Sequence, residues 1–495
     1  MIIGGLDVGT TGSKIVLYDE NCKLVDTYYF EYPAIHKDGQ HEIDFTNIKN
    51  GVLSLLKEAL KKYKIEAIGV TSFGESFVMV DENGDALAPA MMLTDSRGLE
   101  ECEYLESIIG KEKIIEITGL EIKPMYSISK IMWLQKHRSD LYSKCKHILL
   151  GEDYIAFILT GKCMLEPSLA SRTCAYDINT HTWSKQILQA ASVDESLLST
   201  PVDFGTIVGN IKDEVKKELN IDYDIQVVMA CHDQIASLIG SGVFNNDVSM
   251  DGSGTVECIP VVMDKKPKDL KFYSYGYSAT PFIDGKYACY AFSYTGGASL
   301  KWFKENFALY DEEISKQKNI NTYEYLNSNC IEKPTEILVI PHFAGAATPY
   351  MDNDAKAAFV GVTLQHTRFD FYKALMEGNS YEMLVNIELL KEFTGEIKEI
   401  RATGGGATSD IWPQIKADVL NTNITCFDCK EVGAAGTAAL TGRAIGVYDD
   451  LKETVSKMVP VRKTFTPNKD NVIKYQELFK KYKDLYPSLK KLGVE

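Results

Sequence analysis

The sequence predicts an α/β protein of two similar domains, and three observations carry that prediction. Residues 1–90 alternate strand and helix signals in the order β-β-β-α-β. The opening strand-turn-strand pattern returns about 245 residues later, a spacing too long for a solenoid repeat. The 495 residues are 45% hydrophobic and 25% charged, which excludes a disordered, collagen-like or rod-like chain.

The elements follow in order. Apolar stretches over 2–6 and 14–18 flank a Gly/Thr turn and read as a hairpin, with a third strand over 24–30. Ile48, Val52, Leu55, Leu56, Ala59 and Tyr63 then share one helical face, Thr46 stands where a cap belongs, and 67–71 is a buried-strand run. Residues 248–262 repeat the opening hairpin, with an acid, a Gly/Ser/Thr turn and a second apolar strand. The glycines and asparagines of 240–247 mark the link, giving domains 1–244 and 245–495. Beyond it the periodicity predicts helices over 369–393, 409–420 and 431–445, and a strand over 397–403. The lysine-rich, amphipathic segment 472–492 reads as a solvated surface helix.

Charge and cysteine usage narrow the partners. With 53 basic and 69 acidic residues the net charge is -16, which opposes nucleic acid and anionic membranes, so any phosphate must be gripped locally. Eleven scattered cysteines form no disulfide framework, and Cys426 and Cys429 lack the second pair that a zinc site needs. The N-terminus lacks the basic flank and apolar core of a secretory signal. No apolar run approaches the roughly 18 residues of a membrane span, so a cytoplasmic protein is expected.

Four motifs carry chemistry. Asp7-Val8-Gly9-Thr10-Thr11-Gly12-Ser13-Lys14 joins a strand-end carboxylate to a turn rich in N–H and O–H donors, the makings of a phosphate cradle and equally of an ordinary hairpin. Met250-Asp251-Gly252-Ser253-Gly254-Thr255 repeats the design. In Cys231-His232-Asp233-Gln234 the acid stands where a strand opens into a helix, the edge at which open α/β sheets bind ligands. There it serves either as a base or as a helix cap, capping being the commoner use. Gly404-Gly405-Gly406 before Ser409 gives a flat ligand bare backbone to lie on, without the spacing of a dinucleotide fingerprint or a P-loop.

In this order, together with Thr295-Gly296-Gly297-Ala298-Ser299-Leu300-Lys301-Trp302, Pro341 to Tyr350 and Gln414 to Asp418, the motifs resemble the FGGY carbohydrate kinases over nearly the whole chain. The resemblance implies two ribonuclease H-like, actin-like ATPase domains around a cleft. It also implies ATP with magnesium, a sugar or polyol acceptor and often a homodimer. Position by position it implies that Thr10, Thr11 and Lys14 form the first phosphate loop and Gly254 and Thr255 the second. Gly297 would lie beside the phosphates, and Gly404, Gly405 and Ser409 would hold adenosine. Asp7 would carry magnesium through water, and Asp233 would be the general base, displacing the capping reading. Glu75, Asp95, Asp233 and Gln234 would meet the sugar, Asp95 being equally able to pair with Arg97.

Leu93, Met125 and Cys258 replace three aromatic walls of a glycerol pocket, which argues against glycerol. Phe73-Gly74-Glu75-Ser76 stands where xylulokinases carry Gln-Met-His-Gly, leaving xylulose the leading substrate within a ketose and polyol group. Fuculose, ribulose, gluconate, erythritol and, last, the glycerol class are the alternatives. A nucleotide-gated sugar-binding regulator is the competing class.

Overall fold

The computed structural model describes residues 1–37 and 39–493. In chain order, the elements that position the site begin with β1 (Ile2–Val8), β2 (Gly12–Asp19), β3 (Leu24–Glu31), α1 (Phe45–Leu60), β4 (Ala67–Ser72), β5 (Ile207–Asn210), β6 (Gln226–His232) and α2 (Asp233–Gly240). They continue with β7 (Val248–Ser253), β8 (Glu257–Met263), β9 (Tyr287–Ser293), α3 (Arg368–Thr394), β10 (Glu399–Thr403), α4 (Ile411–Leu420), β11 (Asn423–Phe427), α5 (Val432–Ala444), β12 (Val461–Phe465) and α6 (Lys469–Lys491).

The chain gathers into two compact units. One holds Met1–Phe244, Ser278–Ala288 and Glu431–Val459, and the other holds Asn245–Tyr277, Cys289–Lys430 and the segment from Pro460. The first unit therefore takes two segments, 278–288 and 431–459, from the half 245–495, and α5 shows why for the second of them. This helix is built of alanine and glycine and packs on β1, β4 and α2, where glycines let backbone meet backbone. A Cβ added to Gly5 would lie 2.1 Å from the Ala434 carbonyl oxygen, and one on Gly240 would lie 1.9 Å from that of Val432.

The first unit's sheet runs β5-β6-β4-β1-β2-β3. β1, β4 and β6 are parallel neighbours, and β2 returns antiparallel on β1 with Asp7 opposite Lys14. Parallel strands covered on both faces read as apolar runs, and β4 is buried along its whole length. Helix α1 lays Phe45, Ile48, Val52, Leu55, Leu56 and Ala59 into the core. Its cap is Asp44 rather than Thr46, because the helix starts two residues earlier than a Thr46 cap would place it. The Asp44 carboxylate accepts the Thr46 backbone N–H at 2.8 Å.

The second unit's sheet runs β9-β8-β7-β10-β11-β12, with β8 antiparallel to β7, and β7, β10 and β11 parallel. The hairpin-plus-parallel-strand plan of the first unit is repeated, as the sequence recurrence requires.

Helix α6 departs from the solvated reading. Val472, Tyr475, Leu478, Phe479, Tyr482 and Tyr486 form a buried stripe while the lysines face water. The Tyr475 hydroxyl donates to Glu377 at 2.8 Å and that of Tyr482 to Glu382 at 2.6 Å, so the tyrosines satisfy two carboxylates buried on α3. Among the described residues no helix is long and apolar enough to cross a membrane.

Candidate active site

Three parallel strands of the first unit end at one edge. Asp7 of β1 stands in register with Thr71 of β4, and His232, the last residue of β6, with Ser72. Chain direction alone therefore brings Asp7, the loop after β4 and Asp233 to the carboxyl edge of the sheet, where ligands bind in open α/β folds.

Asp233 is the first residue of α2, and the N-cap position before it is filled by His232, which makes no side-chain cap bond. Its carboxylate stays 30% exposed, with Oδ1 3.1 Å from His232 Nε2. Burial first, then the negative charges of Asp7 and Glu75, push the Asp233 carboxyl up to about 8. His232 is buried, and burial followed by the nearby Arg172 guanidinium keeps its ring neutral by lowering its pKa well below the usual range. Its backbone N–H donates to Ser168 Oγ at 2.9 Å, and Ser168 in turn donates to Glu166 at 2.8 Å. The turn that aims Asp233 is thereby anchored.

Glu75 reaches the same basin from the loop after β4. It adopts φ 64°, a left-handed conformation that only a well-fixed loop imposes on a glutamate. Ser127 Oγ fixes the loop by donating to the Glu75 carbonyl at 2.6 Å, and Arg172 Nε donates to the Glu75 carboxylate at 2.6 Å. The Arg172 guanidinium lies 5.1 Å over the Tyr126 ring.

Asp95 makes the pairing that was its second reading. Arg97 Nε and Nη2 donate to its two oxygens, each at 2.8 Å, and the His41 N–H adds a bond at 3.0 Å. Those contacts occupy both carboxylate oxygens. Gln234 follows Asp233 in the first turn of α2, half-buried.

The first hairpin supplies Thr10, half-buried, Thr11, exposed, and Lys14. Lys14 Nζ lies 3.3 Å from Asp7 and 2.7 Å from Glu431, the residue just before α5. Burial raises the Asp7 carboxyl, Lys14 opposes that rise and Glu431 adds to it. Tyr32 braces the turn by donating to the Gly9 carbonyl at 2.5 Å.

Asp7 is a hard oxygen donor at the sheet edge. No group of three or more metal-binding side chains occurs among the described residues. Such a donor fits a magnesium ion whose remaining ligands are phosphate and water oxygens.

In the second unit, a cavity of about 720 Å³ is lined by Gly254, Thr255, Gly297, Gly405 and Ser409, with Trp302 and Trp412 as walls. Its size is that of a small-molecule site. Five expected nucleotide residues meet there. Gly404, exposed and just before Gly405, is not among the lining residues; it takes φ 81°, and a Cβ there would fall 2.6 Å from the Ser253 carbonyl oxygen.

Sequence reasoning missed Arg172, Tyr32 and Glu431, each joined to its partner by the fold rather than by a local motif, and it quoted Lys416 within Gln414 to Asp418 without giving it a role.

The N-terminal domain model of the FGGY family of carbohydrate kinases matches residues 2–240, and its C-terminal domain model matches residues 253–445. Xylulose kinase of Staphylococcus xylosus is 26% identical over 490 residues, covering 97% of this chain and 99% of that protein. Gluconokinase of Bacillus subtilis is 26% identical over 482 residues, 96% of this chain and 93% of its own. The crystal structure of ligand-bound xylulose kinase from Lactobacillus acidophilus has a TM-score of 0.89 at 26% identity, over 99% of this chain and 98% of that one. The two-domain fold expected from the motifs is the fold of that solved kinase. Matched by both family models in order, this chain belongs to the FGGY family of carbohydrate kinases and is a sugar kinase.

Proposed function

We propose that this kinase transfers the terminal phosphoryl group of ATP to a hydroxyl of a neutral ketose of the xylulose type, with Asp233 as general base. The observation that carries the reading is the setting of Asp233: an open carboxylate at the sheet edge, beside a neutral histidine, with its pKa raised to about 8. A general base works best when its pKa lies near the working pH.

The steps follow from phosphoryl-transfer physics, in which positioning and charge neutralisation supply most of the rate. The acceptor hydroxyl gives its proton to Asp233 as its oxygen bonds to phosphorus. The bond from phosphorus to the bridging oxygen breaks and ADP leaves. His232 fixes the orientation of the base, and Glu75 accepts hydrogen bonds from sugar hydroxyls while Arg172 holds its carboxylate in place. Lys14 and the N–H and O–H donors of Thr10 and Thr11 stabilise phosphate charge. Magnesium, when bound beside Asp7, neutralises negative charge on the phosphates. Adenosine occupies the cavity of Gly297, Gly405 and Ser409, so residues 1–244 supply the sugar site, the first phosphate loop and the base, and 245–495 the adenosine site and the second phosphate loop.

The charge around the basin selects among substrates. Arg172 is the guanidinium beside Asp233, and Glu75 engages it. An acceptor bearing a carboxylate, such as gluconate, would enter a basin of acids whose cations Lys14 and Arg172 are already paired with Asp7 and Glu75. Xylulose is accordingly preferred, in line with the relatives of that name. The test is ADP release with ATP, magnesium and a panel of ketoses, polyols and aldonic acids. Release that requires a neutral ketose is expected. Release indifferent to every sugar would overturn the kinase reading, and faster release with gluconate would overturn the substrate.

A further inference from the structure

We propose that Lys416 is a positioning residue for the nucleotide half of the reaction, a single buried ammonium that ties both arms of the second phosphate hairpin to the helix behind the adenosine loop. Lys416 lies on α4 with its side chain 4% exposed, far from Asp233 in the chain and outside every motif role assigned above. Its Nζ bonds the Asp251 carboxylate and the Ser253 hydroxyl on β7, and lies 2.7 Å from Glu257 on β8. Ser253 and Glu257 are opposite each other in the antiparallel register, so one cation clamps both strands at the last rung before the turn. Ser253 Oγ also donates to Asp251 at 2.9 Å, closing the cluster.

The clamp is one step from the ligand surface. Ser253 runs directly into Gly254 and Thr255, which line the cavity, and Trp412, one turn before Lys416 on the same helix, forms another wall. The Lys416 ammonium sits 4.5 Å over the Trp412 ring. The glycine loop rests on the same residue: a Cβ on Gly406 would fall 2.6 Å from the Ser253 Cβ. Hairpin, glycine loop and indole wall thus take their mutual positions from one ammonium group. Without it, two buried carboxylates face each other across the hairpin with no counter-charge, and breaking a buried ion pair from one side is strongly unfavourable. The Glu257 carboxyl, pushed up to about 7 by burial with Lys416 opposing and Asp251 reinforcing, shows how little room the cluster has for a second uncompensated charge.

This inference rests on the cavity being the adenosine site, and its test separates the two. Lys416→Met is expected to raise the KM for ATP by between about tenfold and a hundredfold, the range that displaced positioning groups cost, with the KM for sugar changed by less than about twofold. Adding Asp251→Asn and Glu257→Gln to that variant removes the stranded charges and is expected to restore most of the ATP KM. Should Lys416→Met fail to fold, Asp251→Asn carries the same test, since it loosens one arm of the clamp while leaving Lys416 paired with Glu257. An unchanged ATP KM in the folded variant, or ATP and sugar KM values rising together, overturns the proposal. If the unaltered protein turns over no sugar, the functional reading fails separately, and calorimetric binding of ADP to the unaltered and variant proteins still decides the role of Lys416.

Discussion

The two hairpins share a pattern and divide the labour. Each places an aspartate near a strand end before a turn of small residues, and each neutralises that acid with a lysine. In the first, Lys14 comes from the facing strand, and Asp7 keeps 15% of its side chain exposed at the sheet edge. In the second, Lys416 comes from a helix 165 residues away and Asp251 is sealed at 1%. A carboxylate left at the surface remains available to a ligand, whereas one locked to a buried cation becomes architecture. The same local sequence therefore supports chemistry in one unit and geometry in the other.

The largest effect that would break this division concerns the first edge. Asp233→Asn is expected to lose at least about a hundredfold in kcat, the low end of general-base contributions, with both KM values nearly unchanged. Turnover near that of the unaltered enzyme would remove Asp233 from its role. The same residue sets a pH dependence of definite sign. Because its folded pKa is raised to about 8, the base carries a proton below that value, so kcat/KM for the sugar should climb as pH rises toward 8 rather than level off near 5. Stability runs the other way. The folded carboxyl keeps its proton where the unfolded one has lost it, so its ionisation costs stability as pH rises from the usual carboxylate range to about 8. Asp233→Asn should then melt higher than the unaltered protein at pH 8.5, with the gap narrowing steadily as pH falls toward 4; a lower Tm at both ends would contradict the assignment.

Smaller effects sharpen the comparison. Gly240→Ala drives a methyl toward the Val432 carbonyl and is expected to cost about 1–3 kcal/mol in chemical denaturation, the usual price of overpacking. Tyr482→Phe leaves Glu382 one donor short and should cost about 1 kcal/mol while ATP and sugar KM values stay put, since this contact lies outside both sites. A shift in either KM would show that α6 communicates with the nucleotide cavity.

What the sequence disclosed was what is local. Asp7, Thr10 and Lys14 lie within eight positions, Gly404 to Ser409 within six, and Asp233 directly follows a strand, so their types and spacing were readable. The basin's Glu75–Arg172 pair spans 97 residues, and nothing local in either residue announces the other. Lys416 stands within the quoted stretch Gln414 to Asp418, but its partner Asp251 lies 165 residues away, so nothing local gives it a role. The buried face of α6 was legible in principle, since Tyr475, Phe479, Tyr482 and Tyr486 recur at helical spacing. The lysines between them dominated the reading because composition does not say which face a helix turns to the core.

Helix α5 has a consequence for how the molecule is made. The glycine-lined trough offered by β1, β4 and α2 receives its filling only when residues 432–444 leave the ribosome, after nearly all of the second unit has been synthesised. A fragment stopped at residue 244 would expose that trough to water, and a last-minute arrival must then set Glu431 against Lys14 beside Asp7. The edge that holds the reactive carboxylates is thus among the latest parts of the protein to be completed.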